Sequence, residues 1–122
     1  VNVFALFVLS ACGGDSPYTW GDAYSTISEE FCHFASECTY FKSDEDKAAW
    51  RKDCVNHSMY HECELSGSVC DVSLEIGAQD IVDTCVEAMH QPEYASTCVY
   101  SFYGVLPEEC QPVWDLKPDS EE

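Results

Sequence analysis

Apolar residues recur at spacings of three and four along most of this chain, the period of helices that bury one face. Over residues 23–41 the stripe is Tyr24, Ile27, Phe31, Phe34, Cys38 and Phe41, with Glu30 and Glu37 on the wet side. Asp22 or Ser25 is placed to cap this helix, and Glu29 and Glu30 lie early, where the helix dipole favours negative charge. A second helix is predicted from Ser43, an N-cap followed by Asp44, Glu45 and Asp46 in the first turn. Its inward residues are Ala48, Ala49, Trp50, Cys54 and Met59, and it should end near residues 61–63. Residues 64–73 hold Ser66-Gly67-Ser68 and no helical period, so they read as a loop. A third helix over 74–90 turns Ala78, Ile81, Val82, Cys85 and Met89 inward and Asp80, Asp83 and Glu87 outward. Pro92 breaks the chain and can open the next helix. Residues 93–103 read as that helix, although Val99, Tyr100, Phe102 and Tyr103 suit a strand as well. Cys110 and Trp114 are expected to pack onto the body ahead of a mobile acidic tail, residues 115–122. The fold expected is all-α, a small disulfide-braced bundle of three to four helices over residues 22–114.

The start of the sequence follows another pattern. Residues 1–9 carry no charge and lead into Leu9-Ser10-Ala11-Cys12. The run is shorter than the roughly 20 apolar residues a membrane span needs, and it lacks the basic opening of a secretory signal. Residues 1–11 are therefore expected to be part of a signal peptide that begins upstream. The four residues ending at Cys12 resemble the lipobox of bacterial lipoproteins. That resemblance implies diacylglycerol on the Cys12 sulfur, cleavage just before it, and acylation of the amine so freed. Residues 12–21 then form a lipidated tether. In that class an aspartate directly after the cysteine retains the protein at the inner membrane, so Gly13 implies the outer one. The alternative is an exposed cysteine behind an ordinary secretory signal.

The chain has nine cysteines. One lipidated thiol leaves an even set of eight, which in an exported domain of this size reads as a disulfide framework. If the third and fourth helices form a hairpin turning near Gln91-Pro92, Cys85 and Cys98 lie level, giving Cys85–Cys98. The same count around Lys42-Ser43 gives Cys32–Cys54. Cys63–Cys70 closes a short loop, leaving Cys38–Cys110. Eight cysteines allow 105 connectivities, so only the first pair has a firm geometric basis.

Acidic residues number 23 against five Lys and Arg, a formal charge of −18. Nucleic acid is a poor partner for such a surface, because phosphate binding needs a basic patch. Lys42, Lys47, Arg51 and Lys52 are expected to pair locally with Asp44, Glu45, Asp46 and Asp53. The charge serves solubility and mutual repulsion, or else recruits a divalent cation or a cationic partner. His57 and His61 stand four apart, a spacing at which two imidazoles can share one metal, yet zinc needs a further ligand. The zincin motifs are absent, since Ser58 and Tyr60 occupy the positions where glutamate is required. Cys32-His33 matches the end of a c-type haem site, but Glu29 stands where its other cysteine belongs. With no Cys-x-x-Cys, no Gly-x-Ser-x-Gly elbow and no glycine-rich phosphate loop, no enzyme activity and no cofactor is expected. Tyr94, Tyr100, Phe102, Tyr103 and Trp114 crowd the last third and read as core, or as a contact surface if exposed together.

Beyond the lipobox, the chain resembles small, cysteine-rich, helical lipoproteins of Gram-negative bacteria. The matching features are Phe31-Cys32, Thr84-Cys85-Val86-Glu87-Ala88 and Leu106-Pro107-Glu108-Glu109-Cys110. The resemblance implies export, an envelope location, a helical fold and no catalytic residue; beside the membrane held through the Cys12 lipid, envelope or surface proteins are the partners expected. A second resemblance, to insect odorant-binding proteins, rests on size, acidity and helical cysteines but lacks the required Cys-x-x-x-Cys. The expected function is a lipid-anchored binding or structural interaction module of the cell envelope. The alternative is an envelope protein that holds a small molecule or a metal ion between its helices.

Overall fold

The computed structural model describes residues 17–65, 68–98, 100 and 104–119. Cys12, Ser66, Gly67, Val99, Phe102, Tyr103 and the last three residues of the tail lie outside the described residues. Helix α1 spans Trp20–Glu37, α2 Asp44–Met59 and α3 Ala78–Met89, with one-turn helices α4 at Pro92–Ala95 and α5 at Gln111–Trp114. A π turn, Tyr60–Glu64, and two 3-10 turns, Val69–Asp71 and Glu108–Cys110, link them. Among the described residues the only extended pairing is an isolated antiparallel bridge, Thr19 with Ser73. The fold is the expected small all-α assembly braced by disulfides.

Helix α1 is the spine, and it starts earlier than its most obvious apolar stripe. Thr19 caps it from an extended conformation: its Oγ1 accepts from the Asp22 amide at 3.2 Å, and Asp22 Oδ2 accepts from the Thr19 amide at 3.0 Å. This reciprocal box satisfies two backbone donors, so Asp22 is the reaching partner rather than the cap, and Ser25 has no capping part. Trp20 and Ala23, one turn before Ile27, are completely buried, with Ile27 and Phe34 on the same face. The helix stops at Glu37, short of Phe41, where Thr39 Oγ1 donates to the Ala35 carbonyl at 3.0 Å and competes with continued winding.

Helix α2 has the predicted start, Ser43 Oγ accepting from the Asp46 amide at 3.1 Å, with three acids in the first turn. Its predicted inward face is met only in part. Ala48 and Ala49 are exposed, Trp50, Cys54 and Met59 are only half-buried, and no residue of the helix is buried. What holds α2 to α1 is the Cys32–Cys54 disulfide, a Phe41–Trp50 ring contact at 5.8 Å and a polar clamp. In that clamp Arg51 donates through Nε to Ser36 Oγ at 2.7 Å and through Nη2 to Glu37 at 2.9 Å, while Lys47 reaches Glu37 at 3.0 Å. Lys47 and Arg51 thus pair across to α1 instead of with their own neighbours in sequence.

Residues 72–74 do not belong to α3. They run extended beside the entrance of α1, with the Trp20 amide donating to Val72 O at 3.0 Å and the Leu74 amide to Tyr18 O at 2.7 Å. Gly77, at φ 99°, turns the chain into α3, whose Ala78, Val82, Cys85, Ala88 and Met89 are buried. Pro92 opens α4 as predicted, but that helix ends at Ala95, and of the described residues between it and Gly104 only Tyr100 is helical again. Ser96 Oγ and Thr97 Oγ1 take the Pro92 and Glu93 carbonyls at 2.6 and 3.1 Å, and the chain leaves the helix there.

That early exit rewrites two disulfides. Cys32–Cys54 and Cys63–Cys70 are joined as their spacing suggested. The expected Cys85–Cys98 and Cys38–Cys110 are not formed; the pairs are Cys38–Cys98 and Cys85–Cys110. Because α4 ends at Ala95, Cys98 is not carried along it to the level of Cys85 and instead meets Cys38 at the end of α1. Cys85, wholly buried on α3, faces the equally buried Cys110.

Two segments approach closely at Gly21, where an added Cβ would stand 2.9 Å from the Cys70 carbonyl oxygen and 3.1 Å from its Cβ. Cys70 is held by its disulfide, so neither atom moves away cheaply. Gly21→Ala is expected to destabilise the oxidised protein by about 1–3 kcal/mol, read as a lower urea midpoint.

Candidate functional site

The polar centre of the fold is a carboxylate that the sequence pattern does not advertise. The π turn carries Glu62 under the first turn of α1, where its Oε2 accepts from the Trp20 indole N–H at 2.8 Å and pairs with Lys117 Nζ at 2.8 Å. Glu62 is only 14% exposed, and Trp20 is fully buried, so one oxygen joins three distant parts of the chain. Lys117 is therefore anchored, and the acidic segment after α5 starts tied to the body rather than free. Trp20, Tyr24 and Trp114 form a triangle of rings at 5.9, 5.9 and 6.2 Å. Burial, and then the Glu62 charge, push the Tyr24 phenol above its ordinary value; burial, then Asp83 and Asp22, do the same to Tyr18.

Beside this triangle lies a hollow of about 160 Å³ lined by Tyr24, Ile27, Ser28, Phe31, Gly104 and Trp114 among others. It is mostly apolar, opens to solvent, and has Trp114 at 41% exposure on its wall. The other aromatic group is core: Tyr94 lies between Phe34 at 4.5 Å and Tyr100 at 5.2 Å and donates its hydroxyl to Val105 O at 2.7 Å. Burial, with Tyr100 adding to it, pushes the Tyr94 phenol up to about 12.

His57 and His61 do come together, edge to face with ring centroids 4.4 Å apart, on an exposed surface where Tyr60 flanks His61 at 5.7 Å. Asp53, Glu62 and Glu64 do not complete them: among the described residues no group of three or more His, Cys, Asp or Glu is placed to hold a metal. Glu62, the nearest candidate in sequence, is committed to Trp20 and Lys117. Nor, among the described residues, does any buried side-chain nitrogen or oxygen lack a hydrogen-bond partner. The eight described cysteines are all consumed in four disulfides. The chain matches no protein-family model, no curated protein and no solved structure.

Two outcomes follow from this polar framework. Glu62→Leu leaves the buried Trp20 N–H without an acceptor and is expected to cost about 1–3 kcal/mol in urea unfolding, whereas Glu62→Gln, which keeps a carbonyl oxygen, should cost less. Glu37 behaves differently because it is exposed: the Lys47 hydrogen bond, helped by His33 and Arg51, holds its carboxyl below the ordinary 4.5. A lowered carboxylate value contributes stability that is complete above the unfolded value and lost as pH falls through the folded one. The urea midpoints of the parent and Glu37→Gln should therefore differ above the ordinary carboxylate range and converge as pH falls through the lowered value of Glu37.

Proposed function

We propose that this chain is a lipoprotein of the bacterial cell envelope, anchored at the outer membrane through acyl chains on Cys12, and that it works by binding or by structural interaction. The observation that carries the reading is the cysteine arithmetic. Every cysteine among the described residues has a disulfide partner, and the ninth thiol of the chain closes the sequence Leu9-Ser10-Ala11-Cys12. Four disulfides suit an oxidising compartment outside the cytosol, and a cysteine left over from such a set needs its own chemistry. Two or three acyl chains give durable attachment where one is marginal. No helix among the described residues is long and apolar enough to cross a membrane, so the anchoring envisaged here is covalent.

A second reading is favoured by one observation, the hollow between α1 and the C-terminal segment. Its volume is close to that of a cavity that accepts a benzene-sized ring, and its half-exposed Trp114 supplies an optical reporter. In that case the domain is an envelope carrier of a small apolar molecule, and binding persists without the anchor. The rival metal version would rest on the His57/His61 pair with a ligand from outside the described residues.

The deciding experiment is intact mass spectrometry of protein expressed with a complete signal peptide and extracted from membranes in mild detergent. The expected species begins at an acylated Cys12 and carries four disulfides, counted from the mass gain on reduction. Cys12→Ala should move the protein from the membrane to the soluble fraction while the four disulfides remain. An unlipidated chain beginning elsewhere would end the lipoprotein reading.

A further inference from the structure

The most exposed large apolar residue of the described chain is Ile76, at 106% of its reference exposure, with Val72 at 42% in the same segment. Ile76 stands at a turn closed by the Ala78 amide on the Glu75 carbonyl at 3.1 Å. Gly77 takes φ 99° and ψ −15°, the values a type II turn asks of its third residue, so the backbone holds Ile76 out at the tip. Single exposed apolar residues are ordinary, and exposure alone assigns Ile76 nothing. Its position relative to the start of the domain is what matters.

Residues 72–74 are pinned to residues 18–20 by two backbone hydrogen bonds, at 3.0 and 2.7 Å, and by the Thr19–Ser73 bridge. The turn and the point where the chain leaves toward Cys12 therefore share one end of the molecule. Cys12 stands six positions before Tyr18, and even fully extended that stretch reaches only about 20 Å. The opposite end of α1, where Tyr40 is 86% exposed, lies roughly 30 Å farther along the helix direction. The Ile76 tip thus lies at the tethered end of the domain and Tyr40 at the far one. Glu75 beside the tip and Asp71 and Asp115 nearby are exposed acids, which keep such a contact at headgroup depth and favour neutral over anionic lipid.

We propose that the Val72–Ile76 turn is a membrane-contact face, with Ile76 resting in the interface of the bilayer that holds the Cys12 lipid. The inference rests on the anchoring reading above. One isoleucine is far too little to recruit a free protein to a membrane. Once a short tether makes the encounter intramolecular, a weak contact suffices to fix how the domain stands on the surface.

The test places a tryptophan at either end, in Ile76→Trp and Tyr40→Trp, both at exposed positions that the core does not use. Each protein is examined in phosphatidylcholine vesicles with brominated acyl chains, in two arms. One arm is the acylated protein purified from membranes. The other is the mature chain beginning at Cys12, coupled through that thiol to a maleimide lipid, which bypasses cellular acylation. After subtraction of the parent emission, Ile76→Trp is expected to lose about half of its added fluorescence to bromine, while Tyr40→Trp keeps it and untethered protein shows no quenching. Equal quenching of the two variants in the maleimide arm overturns the contact face. An unacylated Cys12 in the cellular protein overturns the anchoring reading instead, and the mass spectrum separates the two failures.

Discussion

Everything in this small fold is arranged around the burial of Trp20 at the mouth of its longest helix. A tryptophan supplies more apolar area than any other side chain, but its indole N–H cannot be buried bare without a cost of about 1–3 kcal/mol. Glu62 meets that need, and the π turn that delivers it brings Cys63 close enough to Cys70 to close a disulfide. Cys70 in turn packs against Gly21, one residue beyond Trp20. Lys117 neutralises the same carboxylate and draws the C-terminal segment, with Trp114, over the tryptophan. One buried ring therefore dictates a helix start, a helix distortion, a disulfide and the docking of the chain end.

The rest of the molecule shows how a short chain compensates for a limited core. Small domains bury a modest share of their surface, and cross-links or polar clamps take over where apolar packing runs out. Helices α1 and α3 share the apolar core. Helix α2 is attached almost wholly by other means, a disulfide and the convergence of Lys47 and Arg51 on Glu37. The Cys38–Cys98 link spans 60 residues and ties the far end of α1 to the chain just after α4.

Much of the helical framework was legible because its signals are local. The Ser43 cap, the inward set of α3 and the break at Pro92 each depend on a few neighbouring residues. The inward face assigned to α2 holds only in part, because alanines at helical spacing do not reveal whether anything lies opposite them, whereas Trp50 meets Phe41. The length of α4 depended on two hydroxyls taking carbonyls, and that single error carried through to the partners of Cys85 and Cys98. Glu62 was invisible for a different reason: in a chain with 23 acids, nothing local marks the one that is drawn under Trp20. Trp20 was within reach, since the apolar stripe of α1 extends one turn upstream through Ala23.

Because α2 buries no side chain, its outward surface is nearly free of structural obligation. Apart from Cys54, Trp50, Lys47, Arg51, the half-buried Val55, Ser58 and Met59, and the Ser43 cap, its positions answer to solvent rather than to a packed neighbour. Substitutions there carry little penalty, so mutational drift should accumulate on α2 while α1 and α3 are held in place. A helix of this kind is where diverging copies of the gene can acquire new surface chemistry without refolding the body beneath.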